Sequence, residues 1–573
     1  MLGGNSVLNY MDYRQLYSHE SALFSEKKDG IVYTPDWLAK EMLFHLLDER
    51  LFADHPSHEY RALFADWFKQ VAGEIPSAFF NWLLEAIRPL KILDLSCGSG
   101  VLLLTYLDFY KKVIGLSEAR KDEKLLLEEA LNDRIFGVDI NLKAINIFKE
   151  TLSVFCLSHS LEVNTFNLWS VNSLTTPLFE TAYFDLIIGN PPYIGEKYHT
   201  DIFAEVKATE FGSKYYEGKM DYFYFFIYKG YELLKPNGVL TYVTSNYFLT
   251  ADGAVKLRQF IKGSFFLQRF VDYGDERIFP EKKLHGCTYC LSKMPTDDIA
   301  FYQMDYEKVK SFKTESVFKS NGSIRFVLSD ASNHMIQKLD QLKIDSLGVL
   351  YSVNQGIVSG ADKVYVLNQE KVNLLPTALQ DKIVRFYKNS DIGHFKTNAE
   401  TDRRLIYFTE ALDEETAMYF EPYREVLEKR REVKKGIRKW YQLTWPRNKS
   451  LFEMPKIVAP QRASSNRFAY VEKPFYASAD VYYISMRESS PYSLKVLALI
   501  LNSSFYKEWL LQLGKRKGSL LELYATPLKA MPVIRLTESD IHTLELLATQ
   551  IETETFEVQE MINKVDSILS RYL

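Results

Sequence analysis

The sequence predicts an α/β fold: a doubly wound, Rossmann-like sheet, then a mixed α/β region, then a terminal helix. Three observations carry this. Apolar runs of strand length alternate with helical stretches from Ile92 to Ser292, the pattern of a parallel sheet with crossover helices. The alternation stops after about residue 295, where short β-like runs, aromatic clusters and basic stretches take over. Near the end, Leu544, Leu547, Ile551, Val558, Ile562, Val565 and Leu569 follow helical spacing, which predicts a long helix or helical hairpin.

Taken in order, the first ninety or so residues are mostly helical, with amphipathic stretches at 37–52, 59–72 and 76–90. Ile92 to Leu95 is the first strand, followed by a Gly-rich turn and a helix from about Val101. Arg134 to Asp139 is the second strand, with a helix from Ala144 to Phe155 after it. Glu162 to Leu168 is a weaker third strand, and Phe184 to Gly189 a fourth that is apolar enough to be buried. A helix over 223–234, a turn at Lys235-Pro236-Asn237-Gly238 and a strand over 238–243 come next, with further strands at 267–273 and 286–292. The resulting division is 1–90, a helical part of the first domain; 91–295, its sheet; 296–340, a linker; and 341–573, a second domain.

The chain of 573 residues is long enough for two or three cores. Its formal net charge of −4 excludes a globally basic nucleic-acid binder, so any such contact needs a local basic face. No apolar run is long enough to span a bilayer, and Met1 to Gln15 lacks the basic-then-apolar pattern of a signal peptide. Four cysteines in so long a chain suit a reducing compartment. Cys287 and Cys290 form a lone CxxC on a strand, where positions three apart face opposite sides. They read as buried side chains, and no metal is expected.

The chemistry concentrates at strand ends. Asn190-Pro191-Pro192-Tyr193 follows the fourth strand. Two prolines cannot continue a sheet, so the chain leaves in a rigid turn with an amide before it and a ring after it. Alone, this is either a structural strand exit or a cradle for a planar, amino-bearing substrate. Asp94-Leu95-Ser96-Cys97-Gly98-Ser99-Gly100 ends the first strand. It is not GxGxxG, so a pyrophosphate cofactor is disfavoured. Its acid could hold a cationic amino group, and Asp139, ending the second strand, could bond ribose hydroxyls. A nucleoside at one end and an ammonium at the other describe S-adenosylmethionine.

With Gly30-Ile31-Val32-Tyr33-Thr34-Pro35 ahead of DLSCGSG, Asp139 and NPPY, and a large C-terminal region behind, the chain resembles the TaqI-like DNA adenine-N6 methyltransferases over nearly its whole length. The resemblance implies that Tyr33, Thr34 and Pro35 close over the methionine part of the cofactor. It places Asp94, Ser96, Cys97 and Gly98 in the cofactor loop, Asp139 on the ribose and Ile140 against the cofactor adenine. The third-strand position, commonly Asp, falls on Asn172. Asn190 and Pro191 would accept hydrogen bonds from the N6 hydrogens of a flipped adenine, beside the cofactor, with Pro192 stiffening the turn and Tyr193 stacking on the base. Ile278-Phe279-Pro280-Glu281-Lys282-Lys283 resembles the segment whose ring packs on the opposite face of that base, although from the residues alone Phe279 is a core position. The runs 355–360 and 436–441, with Trp445 and Arg447 after them, are similar to the clostridial orphan methyltransferases of the CamA type.

DNA contact is expected from the C-terminal region. The cations from Arg424 to Lys439 are interrupted by Glu425, Glu428 and Glu432, with Glu421 just ahead of them, so part of the run is a solvated helix with i,i+4 pairs. Its basic end supplies Arg438, Lys439, Trp440, Tyr441, Trp445 and Arg447, joined downstream by Arg462, Asn466 and Arg467, as DNA candidates. The expectation is a bacterial, cytoplasmic, adenine-specific enzyme acting as a monomer on double-stranded DNA. It would be an orphan or have a separate restriction endonuclease. The competing expectations are cytosine-N4 transfer, transfer to an RNA or protein amide nitrogen, and a catalytically silent DNA-binding subunit.

Overall fold

A computed structural model describes residues 34–52, 59–70, 74–274, 276, 278–279, 285–303, 310–319, 322–517, 520–553 and 555–573. Gly30 to Tyr33 and Pro280 to Lys283 lie outside the described residues. The chain divides into two units, Met1–Phe326 and Val327–Leu573.

The first unit is built on a nine-stranded sheet. Its strands are β1 (Ile92–Asp94), β2 (Ile135–Asp139), β3 (Asn167–Ser170), β4 (Phe184–Gly189), β5 (Leu234–Ser245), β6 (Phe266–Asp272), β7 (Gly286–Ser292), β8 (Asp298–Gln303) and β9 (Lys310–Lys313). Their order is β3-β2-β1-β4-β5-β7-β6-β8-β9. β3 to β5 across that order are parallel, whereas β7 runs antiparallel to both β5 and β6. β1 sits between β2 and β4, so strand order reverses there. In open α/β sheets, ligands bind at the carboxyl ends of the strands beside such a reversal.

The helices Val101–Leu116 and Leu142–Ser158 follow β1 and β2 as crossovers. The apolar core they cover on one face includes Leu103, Leu107, Phe148 and Leu152. The helix Phe223–Leu233 packs into the other core, with Phe223, Phe226 and Ile227 buried. Cys290 belongs to the first core and Cys287 to the second. The pleat sends these two sulfurs to opposite faces, so they cannot share a metal ion.

Three boundaries differ from the sequence expectation. β3 starts at Asn167, because pairing with β2 begins at Phe136↔Asn167. The Glu162 N–H is taken by the Glu128 carboxylate at 2.7 Å instead. The expected turn at 235–238 lies inside β5, as a register shift opposite Asp185. The stretch 296–340, expected as a linker, supplies β8 and β9 to the first sheet and most of the helix Asp330–Leu342 to the second unit. Both strands are short and half apolar, which gives little signal without a pairing partner in view.

The second unit holds small sheets rather than one large one. A four-stranded sheet orders Ser352–Gln355, Val481–Ser485, Lys456–Pro460 and Ala469–Val471, and another joins Val366–Leu367, Arg404–Ile406, Ile383–Tyr387 and Tyr476–Ala477. The chain ends in a helical pair, Glu538–Thr553 and Val558–Leu569. Leu544, Ile551, Ile562, Val565 and Leu569 pack into this unit's own core. Among the described residues, no helix is long and apolar enough to cross a membrane.

Candidate active site

The loop after β1 is closed by the end of β2. Gly98 N–H donates to Asp139 Oδ2 at 2.8 Å, Asn141 N–H to Asp139 Oδ1 at 2.8 Å, and Cys97 N–H to the Val138 carbonyl at 3.0 Å. Gly98 has φ +51° and Gly100 φ +90°. A Cβ on Gly100 would stand 2.3 Å from the Phe148 ring, so that corner needs glycine for both conformation and space. The Asp94 side chain accepts from Ser96 N–H at 2.9 Å. Asp94 is 1% exposed, and burial, reinforced by the nearby Asp139 charge, pushes its carboxyl up to about 8. Burial also raises Asp139, against the pull of the Asn141 and Gly98 N–H groups.

A cation placed against Asp94 would reverse its shift, because an opposite charge favours the ionised form. The residues fit such a group. The Ser96 hydroxyl is buried and finds no partner of good geometry, although it lies close enough to Asp94 to steady the carboxylate. Ile140, immediately after Asp139, is 71% exposed and offers apolar surface beside it. Burial pushes the Cys97 thiol well above its ordinary range, which makes it inert as a nucleophile.

β4 is buried along its whole length and delivers Asn190 next to this loop. The neighbouring Gly189 is close to β1: a Cβ there would approach Asp94 Oδ1 to 3.2 Å and a Tyr242 ring carbon to 2.8 Å. Asn190 Nδ2 donates to Thr34 Oγ1 at 3.0 Å, which brings the segment 34–35 to the NPPY turn across 156 residues of sequence. Asn190 Oδ1 accepts from the Tyr193 hydroxyl, which also lies 3.0 Å from the Val243 carbonyl. Burial raises the Tyr193 phenol well above its usual range, so it stays a donor. Beyond the loop, Ile194 N–H donates to Asp221 Oδ1 at 3.1 Å and anchors the exit.

Phe279 is not a free opposite wall. Its ring centroid lies 6.2 Å from that of Tyr193, tilted by 48°, and it is 1% exposed. Two rings sandwiching a base must be parallel and about 7 Å apart, twice the ~3.5 Å contact distance. In this arrangement the two rings pack on each other, and Phe279 is a core residue. Asn172 lies after β3, with its amide oxygen accepting from Leu174 N–H at 3.1 Å and its nitrogen donating to Glu205 Oε1 at 3.0 Å. Glu205 carried no signal in the sequence: it is a single acid on a short helix, one turn among many.

Residues 133–279 match the Eco57I restriction-modification methylase family, and residues 384–533 match the TaqI-like C-terminal specificity domain. The chain belongs to the Type II restriction-modification DNA methyltransferase family. The Type II methyltransferase M.HindII of Haemophilus influenzae is 25% identical over 509 residues, covering 79% of this chain and 94% of the relative. M.BanIII of Aneurinibacillus aneurinilyticus is 23% identical, over 74% of this chain and 80% of its own. The Type IIL restriction-modification enzyme MmeI, solved in complex with DNA, superposes on 99% of this chain and 79% of its own with a TM-score of 0.65 at 16% identity, a likeness of fold.

In this methyltransferase, the specificity-domain match falls wholly in the second unit. The two segments singled out there by resemblance, 355–360 and 436–447, meet in space. Val358 bridges Trp445, Thr444 N–H donates to the Ser359 carbonyl at 3.3 Å, and Arg447 Nε donates to the Gly356 carbonyl at 3.2 Å. Most of the DNA candidates are engaged inside the fold. Asn466 is 1% exposed, and its amide donates to the carbonyls of Leu501 and Ser503 at 2.7 and 3.0 Å. It is a core staple, not a base reader. Tyr441 is buried, and its carbonyl accepts from the Tyr365 hydroxyl at 2.9 Å.

Arg462 is held by Glu522 at 3.0 Å and by the Tyr524 hydroxyl at 2.6 Å. Arg438 lies over Trp445 and donates to the Thr444 carbonyl at 3.0 Å, while Arg424 lies over Trp440. Arg467 is half-buried, and its charge helps hold His394 below its ordinary range, behind the larger effect of burial. The ion pairs Arg424–Glu428 and Lys429–Glu425 form as i,i+4 spacing predicts. Of the basic end, Lys435 and Lys439 remain exposed, and Arg431 and Lys434 stand just before them. Separately, a cavity of about 680 Å³ is lined by Arg385, Lys396, Lys473 and Lys495 together with Glu400 and Glu472, with Ala498 and Leu499 among its apolar lining. None of the DNA residues expected from the sequence lines it.

Proposed function

We propose that this methyltransferase transfers a methyl group from S-adenosylmethionine to N6 of an adenine extruded from double-stranded DNA. The observation that carries the reading is the Asn190 carboxamide. It is held between Thr34 and Tyr193 at the end of β4, beside the acids that end β1 and β2. Asp94 would take the cofactor ammonium, Asp139 its ribose and Ile140 its adenine. S-Adenosylmethionine supplies an electrophilic sulfonium methyl when bound.

The N6 lone pair of adenine is delocalised into the ring, so the amine is a weak nucleophile. Asn190 Oδ1 and the Pro191 carbonyl accept its two hydrogens and turn the lone pair toward the methyl. With the cofactor bound, the methyl would pass to N6 while the sulfur leaves as a neutral thioether, and the surplus N6 proton would go to solvent water. Positioning is the main effect. The Tyr193 hydroxyl must leave Asn190 Oδ1 for the substrate to use that oxygen, and the ring then stacks on the base. Extrusion costs a few kcal/mol, and stacking on one ring returns roughly 1–3 kcal/mol. Tyr193 without Phe279 as a second wall offsets only part of the extrusion, so interactions with the DNA backbone must supply the rest. Arg431, Lys434, Lys435 and Lys439 are the proposed phosphate-binding cations in the second unit.

The test is to incubate the full chain with duplex DNA and labelled S-adenosylmethionine and to digest the product to nucleosides. N6-methyladenine is expected. Label in N4-methylcytosine, or none in DNA, would overturn the reading.

A further inference from the structure

Asn172 belongs to a continuous wall around the cofactor loop. The preceding Val171 N–H donates to the Asp139 carbonyl at 3.1 Å, and the following Ser173 hydroxyl donates to the Leu95 carbonyl at 2.8 Å. Ile140 stands exposed on the same wall, one residue past Asp139.

The Asn172 carboxamide is oriented from both ends. A backbone N–H can only donate, so the atom bonded to Leu174 N–H at 3.1 Å is the amide oxygen. The NH2 therefore points the other way, toward Glu205 Oε1 at 3.0 Å. Glu205 lies on the helix Thr200–Lys207, the first α-helix after the catalytic loop, and is exposed. No Lys or Arg forms an ion pair with it among the described residues, so its net charge stays available. Tyr222, buried beneath the pair, has its hydroxyl against the same carboxamide.

This gives a donor next to an acceptor. Asn172 has a second N–H, shared with the Tyr222 hydroxyl beneath it, and Glu205 keeps a second carboxylate oxygen. The Watson–Crick edge of adenine carries the opposite pattern, an acceptor at N1 beside a donor at N6. Asn172 by itself would set its NH2 against the N6 amine, two donors face to face, so a neighbouring acceptor is needed.

We propose that Glu205 reads the adenine edge of the cofactor: its carboxylate accepts an N6 hydrogen while the Asn172 NH2 donates to N1. This rests on the S-adenosylmethionine reading above. Glu205 is thereby a specificity-determining residue for the cofactor base, delivered by the element that follows the catalytic loop.

The experiment is calorimetric titration of the full chain with S-adenosylhomocysteine and with S-inosylhomocysteine, in which oxygen replaces the amino group. Hypoxanthine presents O6 and N1–H, the reverse pattern. The wild-type protein should prefer the adenine compound by about ten- to a hundredfold, the scale of one hydrogen bond to a charged group. Glu205→Ala should erase most of that preference by weakening only the adenine compound, and Glu205→Gln, which keeps a neutral acceptor, should fall between. If Glu205→Ala weakens both compounds equally, the residue only holds its helix and the inference is overturned, while the methyltransferase reading stands. If the wild-type protein binds neither compound, the cofactor reading fails and the inference with it.

Discussion

The two units use their polar side chains in opposite ways. In the first, Asp94, Asp139 and Asn190 sit at carboxyl ends of adjacent parallel strands, where backbone pairing has ended and side chains face a crevice. Their mutual bonds orient them: Asp139 holds Gly98, and Asn190 holds Thr34. In the second unit, Arg438, Arg447, Arg462 and Asn466 are engaged with carbonyls and carboxylates of their own fold. A strand end is a position that topology leaves open to a ligand. A basic, aromatic run is only a composition, and a domain of small sheets with long connections needs such groups to cap its own backbone.

The largest effect is expected at Asn190. Asn190→Ala should lower methyl transfer by two to three orders of magnitude, about 3–4 kcal/mol of transition-state stabilisation, with duplex affinity largely kept. Equal loss of both, measured by turnover and by fluorescence anisotropy, would make the site one for binding only. Asn466→Ala should behave in the reverse manner. Two buried carbonyls lose their donor, so thermal unfolding should show about 2–4 kcal/mol less stability, and the folded protein should read the same DNA sequence. A change of target sequence at unchanged stability would return Asn466 to the interface.

A smaller effect concerns Asp94. Below its raised pKa of about 8 the carboxyl is mostly protonated and must lose its proton to pair with an ammonium. Cofactor affinity should therefore climb up to ~10-fold per pH unit between about pH 6 and 8 and then level off. Asp94→Asn should flatten that climb, and a wild-type affinity independent of pH would remove Asp94 from the ammonium. The smallest effect belongs to the cations of the basic run. Replacing Lys434 and Lys435 with Ala should lower the slope of log affinity against log salt by about 2, since each phosphate no longer neutralised accounts for close to 0.9. An unchanged slope would place the phosphate contacts on another surface.

Much of the first unit was legible in the chain. The runs at Ile92, Ile135 and Phe184 are apolar because strands buried on both faces must be, and the glycines after Asp94 mark a turn that at Gly100 has no room for a side chain. The strands at 298–303 and 310–313 were not legible, because they become strands only when β6 offers an edge. Phe279 was ambiguous for a similar reason. A ring beside a loop stacks on a base or packs in a core depending on what stands next to it, and the neighbour is Tyr193 itself. The surroundings of the DNA candidates were the least legible, since a residue's type does not say whether its partner is a phosphate or a backbone carbonyl of its own chain.

The alternating architecture, the acids that end β1 and β2, and the amide that begins the NPPY turn are all readable along the linear chain. These follow from local rules: hydrophobic period, the backbone limits of Gly and Pro, and the position of a residue at the end of a strand. Packing brings Thr34 to Asn190, buries Asn466 as a core staple and sets Glu205 beside Asn172. Each of these is a meeting of segments far apart in the chain, set by how the sheets and helices pack, and no local pattern encodes it.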